Sequence, residues 1–249
     1  MKRAGIIGEA RFYIRAVKAR FRDQKAELLT IQQHVRPHDT VCDIGANKGS
    51  FVFWLSRWCP AGAVIAFEPQ QDLVTLLGSV CRRLKNVTIE PKAVYSRSGT
   101  FPLYVPPGHS PGASLVTDLQ GQARVAVAVP TISLDEYFAP EDRISLLKID
   151  VEGAELDVFK GADRILREQS PLLVFECENR HLKTGTVHDV FSHLTGLGYE
   201  GRFICGDRLL PIAEFDSRLH QPQTGDWFWK RAATTSFFQN RMAMACQSN

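Results

Sequence analysis

Long apolar runs are missing from this sequence: no stretch approaches the about 18 consecutive apolar residues that span a bilayer. The start, Met1-Lys2-Arg3-Ala4-Gly5-Ile6-Ile7, is basic but leads into neither a long apolar core nor a cleavage site. The expectation is a protein neither exported nor membrane-spanning, working in the cytoplasm. Patterned cysteine is missing as well. The six cysteines, at 42, 59, 81, 177, 205 and 246, form no C-x-x-C pair and no zinc spacing. Cys42 and Cys177 sit inside apolar runs that read as buried strands, and a chain of 249 residues builds its core without disulfide staples. Strong charge of one sign is absent too; a net charge of +3 gives no reason to expect nucleic acid as a partner. Neither an internal repeat nor a low-complexity tract occurs.

What is present fits one α/β domain with additions. Residues 8 to 33 read as helix, with Ala10, Ile14, Val17 and Phe21 on one face and Leu28, Leu29 and Ile31 continuing the pattern. The opposite face carries Arg11, Arg15, Lys18, Arg20, Arg22 and Lys25. It reads either as a solvated face of a helix leaning on the main domain or as a surface for anionic lipid or substrate. We expect residues 1–35 to form an N-terminal helical extension, 36–232 the main domain, and 233–249 a tail.

From residue 41 strand and helix alternate. Val41-Cys42-Asp43-Ile44 and Ala63-Val64-Ile65-Ala66-Phe67 are the first two strands, followed by helices over Ser50 to Trp58 and around Leu73, Leu76, Leu77, Val80 and Leu84. Val87-Thr88-Ile89 and Ala93-Val94-Tyr95 bracket a third strand interrupted at Pro91. Residues 96–135, rich in proline and glycine, suggest an antiparallel insertion with a loop at 105–123. The rhythm resumes with a strand over Ile144 to Ile149, helix over 154–168 broken near Gly161, and the strand Leu172-Leu173-Val174-Phe175. Thr186 and Asp189 have capping-box spacing ahead of a helix that Gly196 and Gly198 close. Tyr199 to Cys205 and Trp227 to Arg231 read as a closing pair of strands. Such alternation predicts a mostly parallel sheet with helices on both faces, whose ligands bind beyond the carboxyl ends of the strands.

Chemistry is therefore sought after each strand. The first ends Asp43-Ile44-Gly45-Ala46-Asn47-Lys48-Gly49, where Gly45 and Gly49 permit a sharp turn and let a ligand approach the main chain at a helix start. A dinucleotide turn would favour three glycines, G-x-G-x-x-G. Asp43 suits a cationic amine. The second strand ends Phe67-Glu68-Pro69, and Glu68 follows Gly49 at about the separation that places a carboxylate on ribose hydroxyls. The third feature is Lys148-Ile149-Asp150-Val151-Glu152-Gly153-Ala154-Glu155, with three carboxylates at the mouth of a central strand. Glu155 suits the start of the following helix, whereas Asp150 still belongs to the strand end.

Together these segments, with Gly161-Ala162 and Leu173-Val174-Phe175-Glu176, resemble FkbM-family methyltransferases over roughly residues 27 to 231. Cys42 and Lys48 depart from positions that are usually apolar in that family. The resemblance implies the class I methyltransferase Rossmann-like fold, S-adenosyl-L-methionine as cofactor, and O-methylation of a sugar, polyketide or other small-molecule hydroxyl. Asp43, Gly45, Ala46, Asn47, Gly49, Glu68, Pro69 and Asp150 are the expected cofactor-binding residues. Asp150, Glu152 and His181 are the expected catalytic ones, with Glu176 and Glu178 candidates for the acceptor pocket and His109 for a lid. Asp150 with Glu176, Glu178 or His181 presents oxygen and nitrogen donors of a kind magnesium accepts, but no metal site is assigned. Two other readings stand beside this one: an NAD-type oxidoreductase, disfavoured by the two-glycine turn, and a non-catalytic adenosyl-binding protein, disfavoured by the carboxylates around Asp150.

Overall fold

The computed structural model describes residues 2–106, 112–116, 125–206, 208–221 and 235–240. Helix α1 (Lys2–Lys18) runs through a π-helical turn (Ala19–Asp23) into α2 (Lys25–His34). Strand β1 (Thr40–Ile44), α3 (Ser50–Trp58), β2 (Ala63–Phe67), α4 (Gln71–Val80) and β3 (Val87–Glu90) follow in the expected rhythm. At Pro91 the chain leaves the main sheet. β4 (Ala93–Val94), β5 (Gly99–Val105) and β6 (Val125–Ile132) form a separate three-stranded sheet of order β4-β6-β5, so the anticipated insertion is a sheet of its own. The chain returns through α5 (Leu134–Tyr137) to β7 (Ile144–Ile149), α6 (Glu155–Lys160), α7 (Asp163–Glu168) and β8 (Leu172–Glu176). It ends with α8 (Val187–Gly196), β9 (Tyr199–Cys205), β10 (Arg208–Pro211) and β11 (Thr235–Asn240).

The main sheet has the order β10-β9-β11-β8-β7-β1-β2-β3. β7 and β8 continue from β1, β2 and β3 in parallel, whereas β11 lies antiparallel between β8 and β9. This corrects one expectation: Thr235–Asn240, assigned to the tail, is instead an interior strand of the sheet. The stretch Trp227 to Arg231, expected as a closing strand, lies outside the described residues.

Period-two alternation divides the core. Val41, Val64, Ala66, Leu146 and Val174 face α1–α4, packing on Phe12, Leu28, Ile31, Leu55 and Leu77. Cys42, Ile44, Ile65, Phe67, Leu147, Leu173 and Phe175 point the other way, into Val158, Phe159, Leu166, Phe191 and Leu194 of α6–α8. α8 opens as the sequence predicts: the Asp189 carboxylate accepts from the Thr186 N–H at 2.6 Å and from its hydroxyl at 3.0 Å. The predicted apolar face of α1 is a second correction. The helix meets the domain through Phe12 and Ala16, with Ala19 following, while Ala10, Ile14, Val17 and Phe21 are exposed. The Trp54 indole N–H fixes α1 by donating to the Ala16 carbonyl at 2.8 Å. Among the described residues no helix is long and apolar enough to cross a membrane.

Candidate functional site

The strand order reverses between β1 and β7, and beyond the carboxyl ends of these strands lies an open cavity. Its floor is the β1 turn. Gly45 is left-handed, with φ 79°, and a Cβ there would sit 1.9 Å from the Asp150 carbonyl oxygen, so only glycine lets the two strand ends close together. The N–H groups of Gly45 and Ala46 both donate to the Phe67 carbonyl at 3.0 Å, tying the turn to β2. Asn47, also left-handed at φ 48°, turns its N–H onto Glu68 Oε2 at 2.8 Å. The Gln70 N–H takes the other carboxylate oxygen at 2.9 Å. Burial raises the Glu68 carboxyl above its ordinary range, and these two amides pull it back.

The structure brings Gly45, Asn47, Glu68, Pro69, Asp150 and Glu152 together on the wall of this cavity. Asp43, Ala46 and Gly49 are not on it. Ala46 and Gly49 lie behind the turn, where a Cβ on Gly49 would meet Leu77 and the Phe12 ring within 2.9 Å. Asp43 is 1% exposed, and the parallel register of β1 and β7 sets it beside Lys148. The Lys148 ammonium stands 3.4 Å from Asp43 Oδ1, 3.6 Å from Asp150 Oδ2 and 4.7 Å from the centre of the Phe51 ring. Burial works against the charge on Lys148, but Asp43, Asp150 and Glu176 outweigh it and raise its pKa. Asp43, expected at the ligand, thus lies off the cavity wall in an internal ion pair with Lys148.

Asp150 keeps 31% of its side-chain surface open and reaches two cavities. On the far side from Glu68 is a polar cavity bounded by Asp23, Gln24, Glu27, Lys148, Glu176 and Thr235. Burial drives the Asp150 carboxyl up; Lys148 opposes this and Glu152 adds to it. Glu176 is raised further, by burial and then by Asp150 and Glu178. The two acceptor-pocket candidates on this side, Glu176 and Glu178, are separated because β8 stops at Glu176. Glu178 is buried away from the cavity and pairs with the Arg180 guanidinium.

His181 does reach the site's rim. Its Nδ1 lies 2.9 Å from Glu152 Oε2, and this carboxylate, with Glu178 behind it, overcomes burial to raise the imidazole pKa. Glu152 itself is left-handed, with φ 55°, and is followed by Gly153 at φ 103°, where a Cβ would lie 2.1 Å from the His181 carbonyl oxygen. A strained turn at the mouth of a cavity fits a residue held for function. Below it, Glu155 Oε1 accepts from the Gly153 N–H at 3.0 Å, while Oε2 is buried without a partner, and burial pushes this carboxyl up to about 7.

Several wall residues were not legible in the sequence. Leu103, Ala113 and Leu115 come from the insertion, which docks through the Ser114 hydroxyl onto the Glu152 carbonyl at 2.5 Å. Asp23, Gln24 and Glu27 come from the N-terminal segment, and Glu27 is tied to β11 by the Thr235 hydroxyl at 3.1 Å. His109 lies outside the described residues. Among those described, no group of three His, Cys, Asp or Glu side chains is arranged to hold a metal ion.

Comparison with known proteins places this geometry. Residues 43–200 match the family model of the methyltransferase FkbM domain. Methyltransferase sdnD of Sordaria araneosa is 30% identical over 155 residues, which cover 49% of this chain and 60% of that protein, so the chain spans less than two thirds of that relative. The crystal structure of methyltransferase FkbM from Methylobacillus flagellatus KT superposes with a TM-score of 0.54 at 18% identity, over 82% of this chain and 44% of that one. At that identity the superposition speaks for the fold.

Proposed function

Because the chain belongs to the FkbM family of S-adenosylmethionine-dependent methyltransferases, we propose that it methylates a hydroxyl oxygen of a small acceptor, sugar-like or polyketide-like, seated beside Asp150. The observation that carries this reading is the cavity between Glu68 and Asp150. Its chemistry suits a nucleoside: a buried carboxylate preset by two main-chain amides at one end, and apolar walls from Phe67, Val94, Leu103 and Leu115. In this reading Glu68 accepts from the ribose hydroxyls, Gly45, Asn47 and Pro69 form the walls, and the Lys148 cavity beyond Asp150 takes the amino-acid end or the acceptor. The catalytic unit runs from about residue 36 through β11.

When bound, the cofactor supplies a methyl group already activated on a sulfonium. What remains for the protein is alignment and the fate of one proton. Asp150 orients the acceptor hydroxyl and holds its proton, a role that the upward push on its carboxyl favours. Lys148, fixed between Asp43 and Asp150, keeps Asp150 in place. The Glu152–His181 pair at the rim offers the proton a route to solvent. Alignment is worth roughly 7–11 kcal/mol, whereas a positioned base contributes about 10²–10⁴-fold, so positioning is the larger effect.

Calorimetric titration with S-adenosylhomocysteine and, separately, NADH tests the cofactor assignment. Micromolar binding of the first and none of the second is expected; NADH binding without a response to S-adenosylhomocysteine would overturn it. Asp150→Asn should leave S-adenosylhomocysteine affinity within a few-fold while lowering kcat about 10²-fold or more. The acceptor screen that this requires is mass spectrometry of small-molecule hydroxyl compounds gaining a methyl group, and exclusive methylation of nitrogen would refute the oxygen assignment.

A further inference from the structure

Helix α1 turns its most apolar line of side chains to solvent. Ala10, Ile14 and Val17 follow one another at helical spacing, and Phe21 in the π-helical turn extends the line. Ile14 is 56% exposed, Val17 48% and Phe21 67%, with Tyr13 beside them at 44%. Packing explains why the stripe is left over: the face toward the domain is already filled by Phe12, Ala16 and Ala19. A contiguous exposed apolar strip of this kind marks a contact surface.

Charge identifies what it contacts. Arg11 and Lys18 stand one position round the helix from Ala10 and Val17, both exposed, while Arg22 after Phe21 is paired with Asp23 at 2.6 Å. Residues 8–25 hold six basic and two acidic side chains, so this short stretch carries more positive charge than the +3 of the entire chain. A protein partner would need an apolar groove rimmed with acid, whereas a lipid surface offers both halves at once. Its acyl boundary receives Ile14, Val17 and Phe21 while anionic headgroups receive the guanidinium and ammonium groups.

We propose that this face of α1 docks on an anionic membrane surface, the helix lying in the interfacial plane. Asp23 and Gln24, two and three residues beyond Phe21, line the polar cavity beside Asp150, so docking brings this wall of the cavity near the membrane. The inference does not depend on the methyl-transfer reading, since it rests on the exposed stripe and its basic border alone.

Cosedimentation of the full chain with vesicles tests it. Vesicles of phosphatidylglycerol and phosphatidylcholine should bind the protein, vesicles of phosphatidylcholine alone should bind it at least about tenfold less, and added salt should release it. Ile14→Asp with Phe21→Asp, and separately Arg11→Glu with Lys18→Glu, should each weaken binding about tenfold or more. These positions are exposed, so thermal unfolding by circular dichroism should be unchanged. Failure to bind anionic vesicles, or binding by both double variants as strong as the parent's, would overturn the proposal. So would sedimentation-velocity evidence of a dimer that the Ile14→Asp/Phe21→Asp variant abolishes, because a second copy would then own the face.

Discussion

Two buried glutamates show how the same side chain is put to different uses. Glu68 is held ready as an acceptor: both oxygens take main-chain N–H groups, and the carboxylate borders the cavity. Glu68→Gln forces an amide N–H against a main-chain N–H and removes the charge. S-adenosylhomocysteine affinity should fall about 10- to 100-fold, the worth of a hydrogen bond to a charged group; an unchanged titration would remove Glu68 from the ligand site. Glu155 is the contrasting case, with one oxygen partnered and one stranded. Its folded carboxyl titrates near 7, above the ordinary glutamate value it has when unfolded. The folded form therefore binds the extra proton, and stability drains away as pH rises from about 4.5 to about 7. Glu155→Gln should thus be more stable than the parent at pH 8, by about 1–3 kcal/mol, and the advantage should vanish near pH 4.5. Denaturant unfolding of both proteins across that range measures it; a pH-independent difference would contradict the buried-proton account.

Turns set the site more than helices do. Gly45→Ala must place a methyl group against the Asp150 carbonyl and hold φ at 79°, which should cost about 3 kcal/mol or more and spread β1 from β7. A lowered melting temperature together with lost S-adenosylhomocysteine binding is the expected pair of readings; unchanged stability would mean that the turn is looser than the close approach implies. The glycine turn alone was only suggestive, since such turns after strands are common; together with Glu68, which follows it at the expected distance, it was legible. The Asp43–Lys148 pair was not. It exists because β1 and β7, distant in sequence, align those two residues side by side, and no local pattern carries register between such strands. The face of α1 was misjudged for a similar reason. Spacing reports that Ala10, Ile14, Val17 and Phe21 share a side, but Phe12 and Ala16 win the contact with α3 because one aromatic ring fills the space against Phe53 and Gly49. The insertion's share of the wall, Leu103, Ala113 and Leu115, depends on docking through Ser114 and had no signal before the fold was known.

At the scale of the whole molecule, distant ends of the chain meet at the site. Phe12, 1% exposed, lies on the glycine turn from behind, so Phe12→Ala should cost about 3–5 kcal/mol in a denaturant melt and loosen the turn as well. Cofactor affinity that survives this change intact would uncouple the helix from the turn. From the other end comes β11, whose Thr235 reaches Glu27 while its backbone ties β8 to β9. Until residues 235–240 are made, both neighbours of an interior strand exist without the strand itself, leaving two open edges of the kind that recruit foreign chains. Synthesis of this protein therefore passes through a window of vulnerability that closes as β11 emerges, and chaperone demand should peak there rather than during the making of the central strands.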